Sequence, residues 1–274
     1  MSQFDAMGSG RDPYVYVNDG SHIEYRNIAG RTRFDPRLAI GERTAVFLVA
    51  GQSNGSNYVS GVDSHYTPVS SKVQNMLFTD GGIYDARDPM LGNDNAGGSW
   101  LGRLGDRLVS AGTYDRVIFI PVAVGGSSVL SWLPPSGKDS EYLYVAFRRA
   151  AAVGLDVTAV LWQQGEADNA YGMETSTYAG HLNAVIAGVR SEGWVAPWLL
   201  AKSTWYLGSP SAAIRDGIDA VINVDDILAG PDTDILDNTF RAVDQTHFLA
   251  SGADAAAQLW SAAIQAAALP GIQI

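Results

Sequence analysis

The chain of 274 residues contains no cysteine. This absence excludes disulfide bonds, thiolate zinc ligands and a cysteine nucleophile, and it leaves the redox compartment undetermined. Histidine is also scarce: the chain has four histidines, at positions 22, 65, 181 and 247. A reaction that needs an imidazole base therefore has few residues to draw on.

Basic residues are in the minority, with 18 Lys and Arg against 29 Asp and Glu and a net charge of -11. Neither nucleic acid nor an anionic membrane surface is an expected partner, because a surface of this charge releases few counterions on either. No apolar run approaches the ~20 residues of a membrane span. Residues 1–5 lack the basic and apolar regions of a signal peptide. We expect a soluble protein, either cytoplasmic or exported or virion-associated by another route.

The first 43 residues differ from the rest of the chain. Glycines separate short segments there, and the Asn18-Asp19-Gly20 step between two of them is typical of a β-hairpin turn. We predict a β-rich arm or a loosely packed extension over residues 1–43, followed by one α/β domain over residues 44–274.

Apolar runs alternate with helical patterns from residue 44 onward. Five near-continuous apolar runs predict strands at 45–50, 117–124, 157–163, 197–203 and 221–224. Apolar residues at helical spacing predict helices around 101–108 and 178–189. We expect Ser209-Pro210 to open another helix, and Ser251 with Asp254 to form the capping box of the last one. This alternation predicts a three-layer α/β/α sandwich with a mostly parallel, five-stranded central sheet.

Ser53 follows the first predicted strand directly, within the run Gly51-Gln52-Ser53-Asn54. The carboxyl end of a parallel strand exposes such a hydroxyl, and free N–H groups at a helix start can face an anion there. A plain helix-capping serine is the alternative. The run with Gly55 also fits the Gly-x-Ser-x-Gly elbow of α/β-hydrolases, but too few strands precede it for that fold.

Asp244 and His247 stand three residues apart just before the last predicted helix. That spacing places both side chains on one side, so the carboxylate can bind one ring nitrogen and leave the other facing a serine. The alternative is an Asp–His pair that only caps the helix. His65, in the long and weakly patterned segment 59–98, is the only rival base. A loop of that length usually carries function or is disordered, and its place directly after Ser53 would let it form a wall of a substrate cleft.

Two further polar turns follow predicted strands. Residues 125–128, Gly-Gly-Ser-Ser, can present a backbone amide to a ligand. In residues 162–169 a glutamine carboxamide can donate to a developing oxyanion, with Glu166 or Asp168 orienting it. Each turn alone is more typical of an ordinary strand end, but four of them hold a complete serine, acid and base set with hydrogen-bond donors.

These segments resemble the SGNH hydrolases, and most of all their carbohydrate acetylesterase branch, which includes sialate O-acetylesterases and acetylxylan esterases. The matching segments, in family order, are residues 51–54, 100–103, 125–128 with Trp132, 162–168 and 244–247. The resemblance covers residues 45 to 265 and implies the flavodoxin-like SGNH fold. The wider superfamily has Gly-x-Asn-Asp where this chain has Gln-Gly-Glu.

The resemblance implies Ser53 as nucleophile, His247 as base and Asp244 as the acid that orients it. The implied oxyanion donors are the amides of Ser53 and Gly126 and the side chain of Gln164. Gln163 is the alternative donor, and only one of the two can serve because strand alternation sends them to opposite faces. Residues with implied secondary roles are Gln52 and Glu166 as supports, and Trp132 and Asn54 as substrate contacts.

The expected function is a serine esterase that removes O-acetyl groups from a sugar or polysaccharide, with no metal or cofactor. The sugar and the oligomeric state are not specified by the sequence. One alternative is a lipase or thioesterase on the same scaffold, and the other is a carbohydrate-binding module without catalysis.

Overall fold

The computed structural model describes residues 24–273. The predicted hairpin around Asn18-Asp19-Gly20 and His22 lie outside these residues. Of the first 43 residues, the described part contributes the short strand β1 (Arg33–Phe34), which pairs antiparallel with a later strand. The division of the chain at residue 43 stays a prediction.

Nine strands within the described residues form one sheet. After β1 they are β2 (Arg43–Gly51), β3 (Val73–Met76), β4 (Ile83–Asp85), β5 (Arg116–Pro121), β6 (Ala159–Gly165), β7 (Trp198–Ser203), β8 (Ile227–Asp232) and β9 (Ile272–Gln273). Their order is β1-β4-β3-β5-β2-β6-β7-β8, with β9 antiparallel beside the start of β2. Along the part of this order that runs β3-β5-β2-β6-β7-β8, each strand is parallel to the next one.

The predicted five-stranded core is the run β5-β2-β6-β7-β8, which has the strand order of flavodoxin-like folds. The first four predicted strands are confirmed as β2, β5, β6 and β7. The fifth prediction, at 221–224, is wrong, because Val221 ends a helix and the strand is β8. The Asn223 side chain accepts the N–H groups of Asp225, Asp226 and Ile227, which fixes a turn between helix and strand.

Six helices cover the two faces of this sheet: α1 (Leu101–Ser110), α2 (Ser140–Ala152), α3 (Glu166–Ala170), α4 (Thr175–Ser191), α5 (Ala212–Val221) and α6 (Ala250–Ala267). Alternate residues of β2 point to opposite faces. Val46, Leu48 and Ala50 join the core under α2, α4 and α5. Ala45, Phe47 and Val49 join the core under α1 and α6. The predicted three-layer sandwich is confirmed.

Two predicted helix starts are wrong. Helix α5 is capped by Ser211, whose hydroxyl accepts the N–H of Ile214, and not by Ser209. Helix α6 begins at Ala250, so Ser251 lies inside it, and Asp254 pairs with the Arg103 side chain on α1.

The segment 59–98 is more ordered than its sequence indicates, because it contains β3 and β4. Strand β3 carries two polar residues that are buried against polar partners. Gln74 accepts a hydrogen bond from Arg116 (2.9 Å), and the Asn75 carboxamide pairs with the backbone of Leu91. Separately, none of the helices between residues 24 and 273 is both long and apolar enough to cross a membrane.

Candidate active site

Ser53 lies on a sharp turn at the carboxyl end of β2. Gly51 has φ +127°, and a Cβ at this position would lie 2.0 Å from the Gln163 carbonyl oxygen, so only glycine fits. The next N–H, from Gln52, donates to that same carbonyl (2.9 Å). Ser53 then opens a single 3₁₀ turn over Ser53–Gly55. Its N–H and its hydroxyl form no hydrogen bond with any residue of the described range, which leaves both groups available to a ligand.

Asp244 and His247 form a pair in the turn before α6. His247 Nδ1 lies 2.7 Å from Asp244 Oδ2, and Asp244 Oδ1 accepts the N–H groups of Thr246 and His247. Burial alone raises the pKa of Asp244, but the hydrogen bonds from His247 and Thr246 outweigh it and hold this pKa below its usual value. Asp244 is therefore ionised at neutral pH. Its carboxylate fixes the proton on Nδ1, and Nε2 is left as the acceptor.

Asn54 connects the turn of Ser53 to the turn of His247. Its Nδ2 donates to the carbonyl of Thr246 (3.1 Å), and its Oδ1 accepts the N–H of Phe248 (3.2 Å). The peptide groups on both sides of His247 are thus bound by the residue that follows Ser53. No hydrogen bond joins Ser53 Oγ to His247 Nε2 in this region, as is common in serine hydrolases without substrate.

Glu166, at the start of α3, holds the Asn54 side chain by a hydrogen bond. Its Oε1 accepts from Asn54 Nδ2 (2.7 Å) and from the Ser203 hydroxyl (2.9 Å), and its Oε2 is buried without a hydrogen-bond partner among residues 24–273. Complete burial raises the pKa of Glu166 to about 7, although the hydrogen bonds from Asn54 and Ser203 act in the opposite direction. The side chain contacts Asn54 and Ser203 and does not face solvent, and its role as a support of the site stays a prediction.

Arg241 holds the His247 turn from its other side. Its guanidinium donates to the carbonyls of Leu236, Thr246 and Thr233, and it lies over the ring of Phe248. Burial lowers the pKa of Arg241 to about 10, so the group still carries its charge at neutral pH. With its donors bound to backbone oxygens, Arg241 acts here as a structural residue.

The turn after β5 brings Gly125 and Gly126 to the same edge of the sheet. The N–H of Gly125 donates to Asp94 Oδ2 (2.9 Å). Gly126 is exposed with φ +69°, and a Cβ there would meet no atom within 4 Å. Its N–H forms no hydrogen bond within the described part of the chain. The role of this free amide as an oxyanion donor stays a prediction.

The structure corrects the role predicted for Gln164. This side chain is fully buried. Its Nε2 donates to Gln52 Oε1 (3.2 Å), to the Ser127 carbonyl (3.1 Å) and to Asp168, and its Oε1 accepts from the Tyr178 hydroxyl. With its donors committed and no access to solvent, Gln164 cannot donate directly to an oxyanion in this structure. It lies behind Gln52 and supports it.

Gln163 points to the opposite face of β6, as strand alternation predicts. Its Oε1 accepts from the indole N–H of Trp260 on α6 (2.8 Å), and its Nε2 is buried. Gln163 therefore belongs to the core under α6, and it does not replace Gln164 as a donor to the site.

Gln52 is the glutamine next to the Ser53 turn. Its Oε1 accepts from Gln164 Nε2 and from the N–H groups of Gly165 and Ala167, so the identity of the oxygen is fixed by backbone donors. Its Nε2 donates to no residue of the described range. The sequence predicts Gln52 only as a support, whereas the structure leaves it a free carboxamide N–H group.

Both residues predicted as substrate contacts are buried. Trp132 has no exposed surface, donates from its indole N–H to the Ser127 hydroxyl, and packs edge-on against Trp162. Asn54 is 3% exposed, and its carboxamide is bound on both sides by the contacts described above. Trp132 has no surface to offer a sugar, and the polar atoms of the Asn54 side chain are committed to Glu166 and to the backbone beside His247. Sequence patterns name residue types but not their depth, and this is why the two predictions are wrong.

The rival base and one residue that the sequence analysis missed lie in the segment that follows Ser53. His65 Nε2 lies 3.0 Å from the carbonyl of Ala96. Tyr58 stacks on His247, with ring centroids 5.1 Å apart. Across residues 24–273 no group of three or more acidic or histidine side chains is placed to hold a metal ion.

Comparison with known proteins agrees with this arrangement. The profile of the family described as carbohydrate esterase, sialic acid-specific acetylesterase, matches residues 43–199, which is more than half of the chain. The chain belongs to this family. Among curated proteins, none matches its sequence.

Solved structures similar to this member of the family share its fold at low sequence identity. A protein of Arabidopsis thaliana aligns with a TM-score of 0.64 at 14% identity, over 82% of this chain and 98% of its own. A carbohydrate acetylesterase from Xanthomonas citri aligns with a TM-score of 0.59 at 14% identity, over 82% and 56%. NanS aligns with a TM-score of 0.58 at 12% identity, over 81% and 97%. Family and fold together make this chain an esterase.

Proposed function

We propose that this esterase removes O-acetyl groups from an acetylated carbohydrate, with Ser53 as nucleophile, His247 as base and Asp244 as the acid that orients the base. The single observation that carries the proposal is the double hydrogen bond of Asn54 to the peptide groups on both sides of His247. It ties the base to the residue next to the nucleophile, although the two lie almost 200 residues apart in the sequence.

In the first half of the reaction His247 Nε2 takes the proton from Ser53 Oγ, and the oxygen attacks the acetyl carbon. The imidazolium then gives this proton to the leaving sugar hydroxyl, and an acetyl-serine remains. In the second half His247 activates water, which attacks the acetyl-serine and releases acetate. Asp244 stays ionised throughout, because its hydrogen bonds lower its pKa.

Three N–H groups are available for the negative charge that develops on the acetyl oxygen. They are the amides of Ser53 and Gly126 and, in place of Gln164, the Nε2 group of Gln52. Gln52 suits this role because three donors fix its Oε1 and leave Nε2 as the unbound end of the carboxamide. Preorganised donors of this kind stabilise the charge without rearranging in the transition state.

The Ser53→Ala variant tests the assignment of the nucleophile. Hydrolysis of 4-nitrophenyl acetate and acetate release from acetylated xylan and O-acetylated sialic acid are expected to fall by roughly 10⁴-fold or more, because no second hydroxyl can form the acyl-enzyme. The variant is also expected to lose labelling by a fluorophosphonate probe. Ser110→Ala is the control, since its hydroxyl donates to the Arg107 carbonyl at the exposed end of α1, and it keeps the label.

Retained turnover in Ser53→Ala would exclude Ser53 as the nucleophile. A wild-type protein that the probe does not label would favour a carbohydrate-binding module without catalysis. A clear preference for 4-nitrophenyl octanoate over the acetate would favour a lipase or thioesterase.

A further inference from the structure

Tyr58 lies against the face of the His247 ring. The two ring centroids are 5.1 Å apart and the ring planes differ by 21°, which is a stacked arrangement. Tyr58 belongs to the segment that follows the Ser53 turn, and its ring is half-buried. One face of the imidazole is therefore covered by an aromatic ring, while the ring edge carries Nδ1, bound to Asp244.

The Tyr58 hydroxyl is anchored at its far end. It donates to Asp94 Oδ2 (3.1 Å), and Asp94 Oδ1 accepts from the Ser56 hydroxyl (2.6 Å). Burial and the neighbouring Asp94 carboxylate raise the pKa of Tyr58 well above its usual range, so the phenol stays neutral and remains a donor. The Tyr58 ring is thus anchored through its hydroxyl to the buried Asp94 carboxylate.

The same carboxylate oxygen holds the turn that carries the free Gly126 amide. Asp94 Oδ2 accepts the N–H of Gly125 as well as the hydroxyl of Tyr58. Gly125 also fits closely against the tyrosine, since a Cβ at position 125 would lie 2.1 Å from Tyr58 Oη. Tyr58 therefore touches the base with its ring and the donor turn with its hydroxyl.

From these contacts we infer that Tyr58 is a positioning residue for His247, an inference that rests on the proposed function. The stacked ring fixes the plane of the imidazole and so holds Nε2 in one direction, which in the proposed mechanism is toward Ser53. The His247 side chain is otherwise partly exposed. When His247 takes the proton of Ser53, the electron-rich face of Tyr58 stabilises the imidazolium that results. Tyr58 acts through the base and need not touch the substrate.

The first test is kinetic and compares Tyr58→Phe, Tyr58→Leu and the wild-type protein on 4-nitrophenyl acetate. Tyr58→Leu is expected to lower kcat by roughly 5- to 30-fold, the size of a lost ring–ring and ring–cation contact, with KM changed less than about twofold. Tyr58→Phe keeps the stack and is expected to recover kcat to within about threefold of wild type. Tyr66→Leu is the matched control, because Tyr66 also donates to a carboxylate, Asp106, and is expected to leave kcat unchanged.

A Tyr58→Leu variant with wild-type kcat would overturn the inference. So would a rise of KM alone, which would make Tyr58 a substrate contact, or a Tyr58→Phe variant as slow as Tyr58→Leu, which would transfer the role to the hydroxyl.

The second test does not depend on catalysis. The ring protons of His247 lie above the Tyr58 ring, so their NMR signals are expected to be shifted upfield and to be lost in His247→Gln, which assigns them among the four histidines. The shift is expected to persist in Tyr58→Phe and to vanish in Tyr58→Leu. An unshifted signal in the wild-type protein would overturn the stack itself. If Ser53→Ala stays active while this shift is present, the proposed function fails and the stack does not.

Discussion

Ser53 stands on a turn whose geometry is set by backbone groups of β2 and β6, whereas His247 stands on a turn that side chains hold in place. At the first turn, the φ of Gly51 and the carbonyl of Gln163 set the geometry. At the second, the contacts come from Asn54, Arg241 and Tyr58.

The two turns also differ in how far their side chains are exposed. Ser53 is 3% exposed, while the side chains of His247 and Asp244 are 26% and 47% exposed. The comparison teaches that backbone groups at the end of the sheet fix Ser53, the proposed nucleophile, and that a few side-chain hydrogen bonds and one ring contact fix His247, the proposed base. Substitutions at the two turns should therefore affect stability and activity in different proportions.

The largest effect on activity at the Ser53 turn is expected for Gln52, because its side chain is a proposed oxyanion donor. Gln52→Ala removes one oxyanion donor and is expected to lower kcat by roughly 10²- to 10³-fold, measured on 4-nitrophenyl acetate. Gln164→Ala removes only the support behind Gln52, and we expect a loss of about tenfold or less, below the full value of a donor. A larger loss in Gln164→Ala than in Gln52→Ala would return the donor role to Gln164.

The next effect concerns stability at the rigid turn. Gly51→Ala adds both backbone strain and a Cβ 2.0 Å from the Gln163 carbonyl oxygen, and we expect the free energy of unfolding to fall by about 3 kcal/mol. The matched control is Gly172→Ala, at φ +64° with open space around it, where strain alone costs about 1 kcal/mol. Urea denaturation measures both. Equal losses in the two variants would show that the contact with Gln163 is not what defines the turn.

The smallest effect is a pH dependence carried by Glu166, which joins the two turns through Asn54. Its pKa is raised to about 7 in the folded protein from about 4.5, so its contribution to stability is complete below pH 4.5 and is lost as pH rises through 7. Glu166→Gln removes this dependence. We expect the free energy of unfolding of the variant, relative to wild type, to rise by up to about 3 kcal/mol between pH 4.5 and pH 8. A difference that is constant with pH would contradict the raised pKa.

The sequence predicts the strands that are apolar throughout and misses those that are not. Strands β2, β5, β6 and β7 are buried on both faces, and their runs of Val, Ile, Leu and Phe are visible without a structure. Strand β3 escaped prediction because the buried polar residues Gln74 and Asn75 look like loop residues until their partners, Arg116 and Leu91, are known. Strand β4 has only 3 residues, which is too short for a pattern. The arm over residues 1–43 stays a prediction.

For the site, the sequence indicates which residues lie at the strand ends, but it does not indicate how deeply each side chain is buried. The rule that parallel strands end at one edge is enough to collect Ser53, Gly126 and the start of α3. Burial and hydrogen bonding decide which polar side chain is available to a ligand. The Gln164 carboxamide is buried and bonded at both ends, and the carboxamide with a free N–H group is that of Gln52. Tyr58 gave no signal, because a single tyrosine in a long polar segment has no pattern to mark it.

The two hydrogen bonds between Asn54 and the turn of His247 have a consequence for how the protein would lose activity. The segment around His247 is held by hydrogen bonds from Asn54 and Arg241 and by the buried ring of Phe248, and it contributes no residue to the parallel strands of the sheet. If this segment detached, turnover by the proposed mechanism would stop while the nine-stranded sheet could stay paired. Loss of activity and global unfolding would then be separate events.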